Sequence, residues 1–289
     1  MFFSIPLFYS FFILIMHYGI KYLSHFYSLD KPNFRKKHNK PIPQVGGLIF
    51  CSCFIIFGYF SALIPTWMLI GSLVSMILGL IDDNYNINWY IKLIIQLFLV
   101  AYIGNNFWGE FTHLTFYHFT LPINQILLLL LFSIWFVGIY NAVNLIDGLD
   151  GLAGGFMLLV CVSNLIIGNP AFYQINLLMC ILLIGFLLFN QRPAKVFMGD
   201  SGSLFLGFYI AVIPLLSQEI NASSSSILDI TPFLIMASSL IADTSRVFFT
   251  RLLSGKSPMT ADTIHFHHLV IQRSGSYLTT LFVIYFISI

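Results

Sequence analysis

The sequence has 289 residues, of which 58% are hydrophobic and only 8% are charged. Soluble domains carry about 25% charged residues, so a water-soluble fold is excluded. The formal net charge of +2 gives no ground for a nucleic-acid partner, and none is expected. Membrane β-barrels show short alternating segments, whereas the apolar runs here are continuous. The expected fold class is therefore all-α: a polytopic integral membrane protein with about ten transmembrane helices.

The N-terminal run MFFSIPLFYSFFILIMHYGIKY has no basic leader and no small-residue cleavage site, and reads as a first span rather than a signal peptide. A crossing takes about 20 apolar residues. On that length the spans fall near 2–23, 45–63, 66–81, 89–104, 125–143, 152–168, 171–189, 202–217, 229–250 and 276–289. Pro65, Pro122, Pro170 and Pro232 punctuate their ends. The tenth is short because the sequence stops, and residues 1–289 read as one domain with no internal repeat. Cys51, Cys53, Cys161 and Cys180 lie inside apolar runs without metal-ligand spacing and read as small buried hydrophobes.

Orientation follows from lysine and arginine, which favour cytoplasmic loops. Lys31, Arg35, Lys36, Lys37 and Lys40 fall in the first loop, Arg192 and Lys195 in the seventh, and Arg251, Lys256 and Arg273 in the ninth. Lys21, Lys92 and Arg246 lie at span ends on the same side, which accounts for all 13. Glu110, Glu219 and Asp229 fall on the other side. Odd-numbered loops are thus expected in the cytoplasm, with both termini outside.

The polar clusters share that face. They are NKPIPQVGG (39–47), GLIDDNYN (79–86), NLIDGLDGLAGG (144–155), NQRPAKVFMGDSGS (190–203) and RLLSGKSPMTADTIHFHHL (251–269). Within them stand Asp82, Asp83, Asp147, Asp150 and Asp200. A carboxylate at the bilayer centre costs about 2.5–3.5 kcal/mol, less near the interface, so five on one side suggest one site. Carboxylates from separate loops suit a hard divalent cation such as Mg²⁺, which takes one or two of them and completes its shell with water and phosphate oxygens. Glycine-rich helix starts, GDSG (199–202) and GLAGG, can offer N–H groups to anions, and the histidines and cations of the last cluster can meet phosphate charge. Acids for a metal, with bases for phosphate, form the inventory of phosphoryl transfer.

Blander roles compete. Asp147, Asp150 and Asp200 could be helix N-caps. Asp82 and Asp83 could be a solvated helix end, although acids at a C-terminus oppose the helix dipole. The basic run 31–40 suits topology and lipid headgroups. A secondary transporter would also keep acids in the membrane, but nearer its midplane and with inverted repeats, which are not evident here.

KPIPQVGG, GLIDD, NLIDGLDGLAGG, the NxxPAKVFMGDSGS segment and HFHH, in this order over residues 40–269, resemble the polyprenyl-phosphate N-acetylhexosamine-1-phosphate transferase family, of glycosyltransferase family 4 type. PIPQVGG, and the Phe266 that interrupts the histidines, favour its UDP-N-acetylglucosamine branch over the phospho-N-acetylmuramoyl-pentapeptide branch. The resemblance implies about ten helices around a cytoplasmic-facing cleft. It implies Mg²⁺-dependent (or Mn²⁺-dependent) attack by undecaprenyl phosphate on a UDP-sugar, most simply UDP-GlcNAc, with release of UMP. It implies a multi-pass enzyme of the bacterial plasma membrane that starts a lipid-linked envelope glycan, such as an O-antigen. A homodimer is left open.

Residue by residue, the resemblance assigns Asp82 and Asp83 to catalysis at the lipid phosphate and Asp200 and Asn144 to the metal. It assigns Asp150, Phe197 and Asn190 to the nucleotide, and His265, His267, His268 and Arg251 to the diphosphate. Asn86 stands where some relatives carry a third acid, and relatives usually continue beyond residue 289.

Overall fold

The structure, a computed structural model, describes residues 5–25, 29–30, 41–167, 170–219, 226–255 and 265–287. Among them are twelve helices and five short strands. In chain order these are α1 (Ile5–Leu23), β1 (Leu29–Asp30), β2 (Ile42–Pro43), α2 (Gly46–Ser61), α3 (Thr66–Tyr85) and α4 (Trp89–Asn106). A hairpin, β3 (His113–Phe116) and β4 (Phe119–Pro122), precedes α5 (Gln125–Ile146), α6 (Leu152–Ile167), α7 (Pro170–Asn190) and α8 (Gly199–Glu219). The chain ends with β5 (Ile227–Asp229), α9 (Thr231–Met236), α10 (Ser238–Leu253), α11 (Phe266–Ser274) and α12 (Tyr277–Ile287).

The protein is mostly helical, and each expected span is matched by helix. Four helical stretches, Thr66–Tyr85, Gln125–Ile146, Tyr173–Asn190 and Gly199–Leu216, are long and apolar enough to cross a membrane. Three details differ from the sequence reading. The ninth span is two helices, broken at Ala237, where neither glycine nor proline signals a stop. The loop after it contains α11, ended by Gly275 in the left-handed conformation at φ 63°, a glycine stop. The fold is also not purely α. HLTF and FTLP pair antiparallel with Leu114 opposite Leu121 and Phe116 opposite Phe119, a two-residue period that suits a hairpin too short to register as a span. β5 joins β3 in parallel.

The chain divides into two compact units. Unit 1 comprises Met1–Ile87 and Asp150–Leu206. There α2 packs on α1, α3 and α7, and α6 on α7. Phe50 is central, its ring 5.9 Å from Phe186 and 5.4 Å from Phe205. Unit 2 comprises Asn88–Leu149 and Gly207–Ile289. There α5 packs on α4 and α10. Phe136 lies 5.4 Å from Tyr140 and 6.1 Å from Phe208, and Trp135 Nε1 donates to the Ala211 carbonyl at 2.9 Å. Gln96 of α4 and Asn141 of α5 exchange side-chain hydrogen bonds of 3.2 and 3.0 Å, which satisfies both amides inside an apolar surround.

Candidate active site

In unit 1 the site is built on the start of α8. α3 runs on to Tyr85, so Asp82 and Asp83 lie in its last turn rather than beyond it. Asp82 is buried and its Oδ1 accepts the Ile87 N–H at 2.8 Å. Asp83 Oδ1 accepts the Asp200 N–H at 2.8 Å, and Oδ2 accepts that of Ser201 at 3.2 Å. This accounts for an acid placed against its own helix dipole. The carboxylate sits on the positive N-terminus of another helix, satisfying two N–H groups that have no partner within α8. Asp200, half-buried in the first turn of α8, is carried to the same spot.

Two glycines permit this approach. A Cβ on Gly79, one turn before Asp83, would overlap the backbone of Asp200 and Ser201. A Cβ on Gly47 would overlap the Met198 carbonyl and the backbone of Gly202. The PIPQVGG segment pairs with the residues leading into α8. Gly46 and Gly47 donate to the Phe197 and Met198 carbonyls at 3.0 and 2.9 Å, and Phe197 N–H donates to the Pro43 carbonyl at 2.9 Å. The N–H groups of GDSG that the sequence offers to an anion are thus partly taken, by Asp83.

Asn190 is buried and bridges two loops. Its Oδ1 accepts the Gly151 N–H at 2.8 Å and its Nδ2 donates to the Val196 carbonyl at 2.9 Å. It therefore fixes the turn that holds the half-buried Asp150, and the segment leading to Phe197.

In unit 2, Asn144 lies in the last turn of α5, and Asp147 is the C-cap of that helix, not an N-cap. Arg251 is buried at the end of α10. The three histidines open α11, with His265 as its N-cap residue. The His265 and His267 rings stack with centroids 5.9 Å apart, and those of His267 and His268 lie 4.2 Å apart. Burial, then the neighbouring His268 and His265, push the His267 pKa down to about 3, which keeps this ring neutral at pH 7.

Asp243, absent from the sequence-derived set, is the residue that organises this cluster. Its Oδ2 meets His265 Nδ1 at 3.0 Å, while its Oδ1 accepts the Phe266 N–H at 2.9 Å and an Arg246 N–H at 2.8 Å. An acid inside an apolar run, with arginine three residues on, was the available cue. Lys31, Arg35, Lys36, Lys37, Lys40 and Lys256 lie outside the described residues.

Among the described residues no three histidine, cysteine or acidic side chains form a ready metal cage. The acids Asp82, Asp83 and Asp200 in unit 1 still suit Mg²⁺, which takes one or two carboxylates and leaves the rest of its shell to water and substrate phosphate.

The glycosyl transferase family 4 profile matches residues 65–218, more than half of the chain. The chain belongs to glycosyl transferase family 4. The resemblance read from its motifs therefore holds, and the protein is an enzyme of the polyprenyl-phosphate N-acetylhexosamine-1-phosphate transferase group. It is 34% identical over 275 residues to a probable undecaprenyl-phosphate N-acetylglucosaminyl 1-phosphate transferase of Bacillus subtilis (strain 168), covering 90% of this chain and 74% of that protein. It is 30% identical over 264 residues to an undecaprenyl-phosphate alpha-N-acetylglucosaminyl 1-phosphate transferase of Thermotoga maritima, covering 89% and 78%. To the protein of that same name in Escherichia coli (strain K12) it is 32% identical over 264 residues, covering 86% and 70%.

Proposed function

We propose that this enzyme transfers N-acetylhexosamine-1-phosphate, with UDP-GlcNAc as the first donor to test, to undecaprenyl phosphate and releases UMP. One observation carries the reading. Asp83 and Asp200, 117 positions apart, are brought together at the first turn of α8, in the motifs where the family resemblance puts the lipid phosphate and the metal. In the reaction a phosphate oxygen of the lipid forms a bond to the β-phosphorus of the UDP-sugar. The bond from that phosphorus to the bridging oxygen breaks, and its electron pair leaves with UMP.

Asp83, held by two N–H donors, orients the attacking phosphate, and Asp82 beside it completes the catalytic pair. Asp200 would hold Mg²⁺, which supplies charge neutralisation for the diphosphate. Asp150 and Phe197 take the uracil, with Asn190 holding their loops in place. In unit 2, Asn144, Arg251 and the histidines are assigned to the diphosphate and its metal on the family resemblance. The chain is read as one multi-pass domain of ten spans in a bacterial plasma membrane, its acids facing the cytoplasm.

The test is UMP release by purified protein given undecaprenyl phosphate, Mg²⁺ and a panel of UDP-N-acetylhexosamines. Release with one donor, dependent on lipid and reversibly stopped by a chelator, is expected. Lipid-independent release, or full turnover in excess chelator, would overturn the reading.

A further inference from the structure

We propose that Asp243 is a positioning residue. It fixes His265 with its proton on Nδ1 and its Nε2 turned to the ligand side of the histidine cluster, where it meets a phosphate oxygen of the donor. The inference rests on the transferase reading above.

The geometry has three parts. Asp243 is tied down, since its Oδ1 accepts N–H groups from both Phe266 and Arg246, at 2.9 and 2.8 Å. That leaves Oδ2 for His265 Nδ1 at 3.0 Å. A carboxylate can only accept there, so Nδ1 carries the proton and the tautomer is set. Nε2 of His265 is buried and has no hydrogen-bond partner among the described residues, and neither has Nε2 of His267. A buried polar nitrogen left without a partner is costly. Two of them on stacked rings point to a ligand that supplies the partners. Both histidines line a cavity of about 320 Å³ with Asp243, Arg246 and apolar residues of α5 and α12.

The same carboxylate also anchors the helix that bears the rings. By accepting the Phe266 N–H it satisfies an orphan donor in the first turn of α11, where the N-cap residue His265 makes no side-chain cap. One side chain thus sets the tautomer of His265 and the start of the helix carrying His267 and His268.

Asp243→Asn separates these roles. Asparagine keeps an oxygen for Phe266, but its amide can donate to Nδ1 and so favours the opposite tautomer. In the UMP-release assay the substitution is expected to lower kcat at least about 10- to 100-fold, the loss seen when the carboxylate behind a metal-bound histidine is changed. KM values and thermal stability should stay near those of the unsubstituted protein, and Asp243→Glu should recover part of the loss. In a His265→Ala background, Asp243→Asn should add little. An undiminished kcat, or an equal further loss when His265 is already alanine, would overturn the proposal.

Nitrogen-15 NMR of the labelled full chain gives an independent readout. It should show His265 protonated at Nδ1, and at Nε2 in the Asn variant. Protonation at Nε2 alone in the unsubstituted protein would refute the pairing. Silence of the unsubstituted protein in the UMP assay would count against the transferase reading instead, and the tautomer then decides the pairing by itself.

Discussion

Two carboxylates in this molecule do the same structural job for different surroundings. Asp83 of α3 caps the first turn of α8 from 117 positions away, and Asp243 of α10 caps the first turn of α11, the next helix, from 23 positions away. In the first case both carboxylate oxygens are spent on backbone N–H groups, and the helix so capped brings a second acid, Asp200. In the second case one oxygen is left for an imidazole, and the start of the helix brings His265 and His267, whose Nε2 atoms have no hydrogen-bond partner among the described residues. A shared device thus yields an acidic helix start in unit 1 and an imidazole-bearing helix start in unit 2. The surroundings differ as well. The span Gly199–Leu216 is 89% buried, whereas Gln125–Ile146 is 28% buried and turns Ile126, Leu130 and Ile134 outward.

The comparison can be broken at either end. The largest effect is expected at the acidic one, where Asp200→Asn should reduce UMP release to background with an unchanged melting temperature. Substantial turnover in that variant would show that the acid of α8 is only a first-turn charge. Next comes the close approach that places it. Gly47→Ala should lower stability by about 1–3 kcal/mol, because the new methyl meets backbone that cannot move aside. Denaturant or thermal unfolding in detergent reads this directly, and an unchanged midpoint would mean that the loop yields.

The smallest effect is at the imidazole end. His267 titrates near 6.5 in an unfolded chain but at about 3 in the fold, where burial and its histidine neighbours disfavour the charged ring. Below pH 6.5 the unfolded chain therefore gains a proton that the folded protein refuses, and stability falls, by at most about 1.4 kcal/mol per pH unit. Melting temperatures between pH 7 and 4.5 should decline less steeply in His267→Gln. A parallel decline would show that the ring is not held neutral.

Much of this was legible in the sequence because hydrophobic runs of span length encode helices and glycine- and aspartate-rich loops interrupt them. The oddity of Asp82 and Asp83 at a helix C-terminus could be read as a misplacement, but its resolution could not, since the helix that accepts the charge begins 116 residues later at Gly199. Gly46 and Gly47 are visible as glycines, yet what they approach is set by packing. The hairpin at 113–122 does not stand out in the sequence, because its two short strands are far below span length. Asp243 is hidden for a related reason: loop position marks the other acids, and this one stands inside a predicted span. The break at Ala237 carries no local signal at all.

The most direct measurement is lipid-dependent UMP release by purified Asp83→Asn beside the unsubstituted protein, with unfolding followed in the same samples. Asparagine keeps one acceptor for the start of α8 and loses the charge. Turnover should fall by about 10²- to 10⁴-fold, the range for a group acting directly on the reacting oxygen, while the protein remains folded. Turnover within a few-fold of the unsubstituted protein would contradict the account, because Asp83 would then be a helix cap and nothing more.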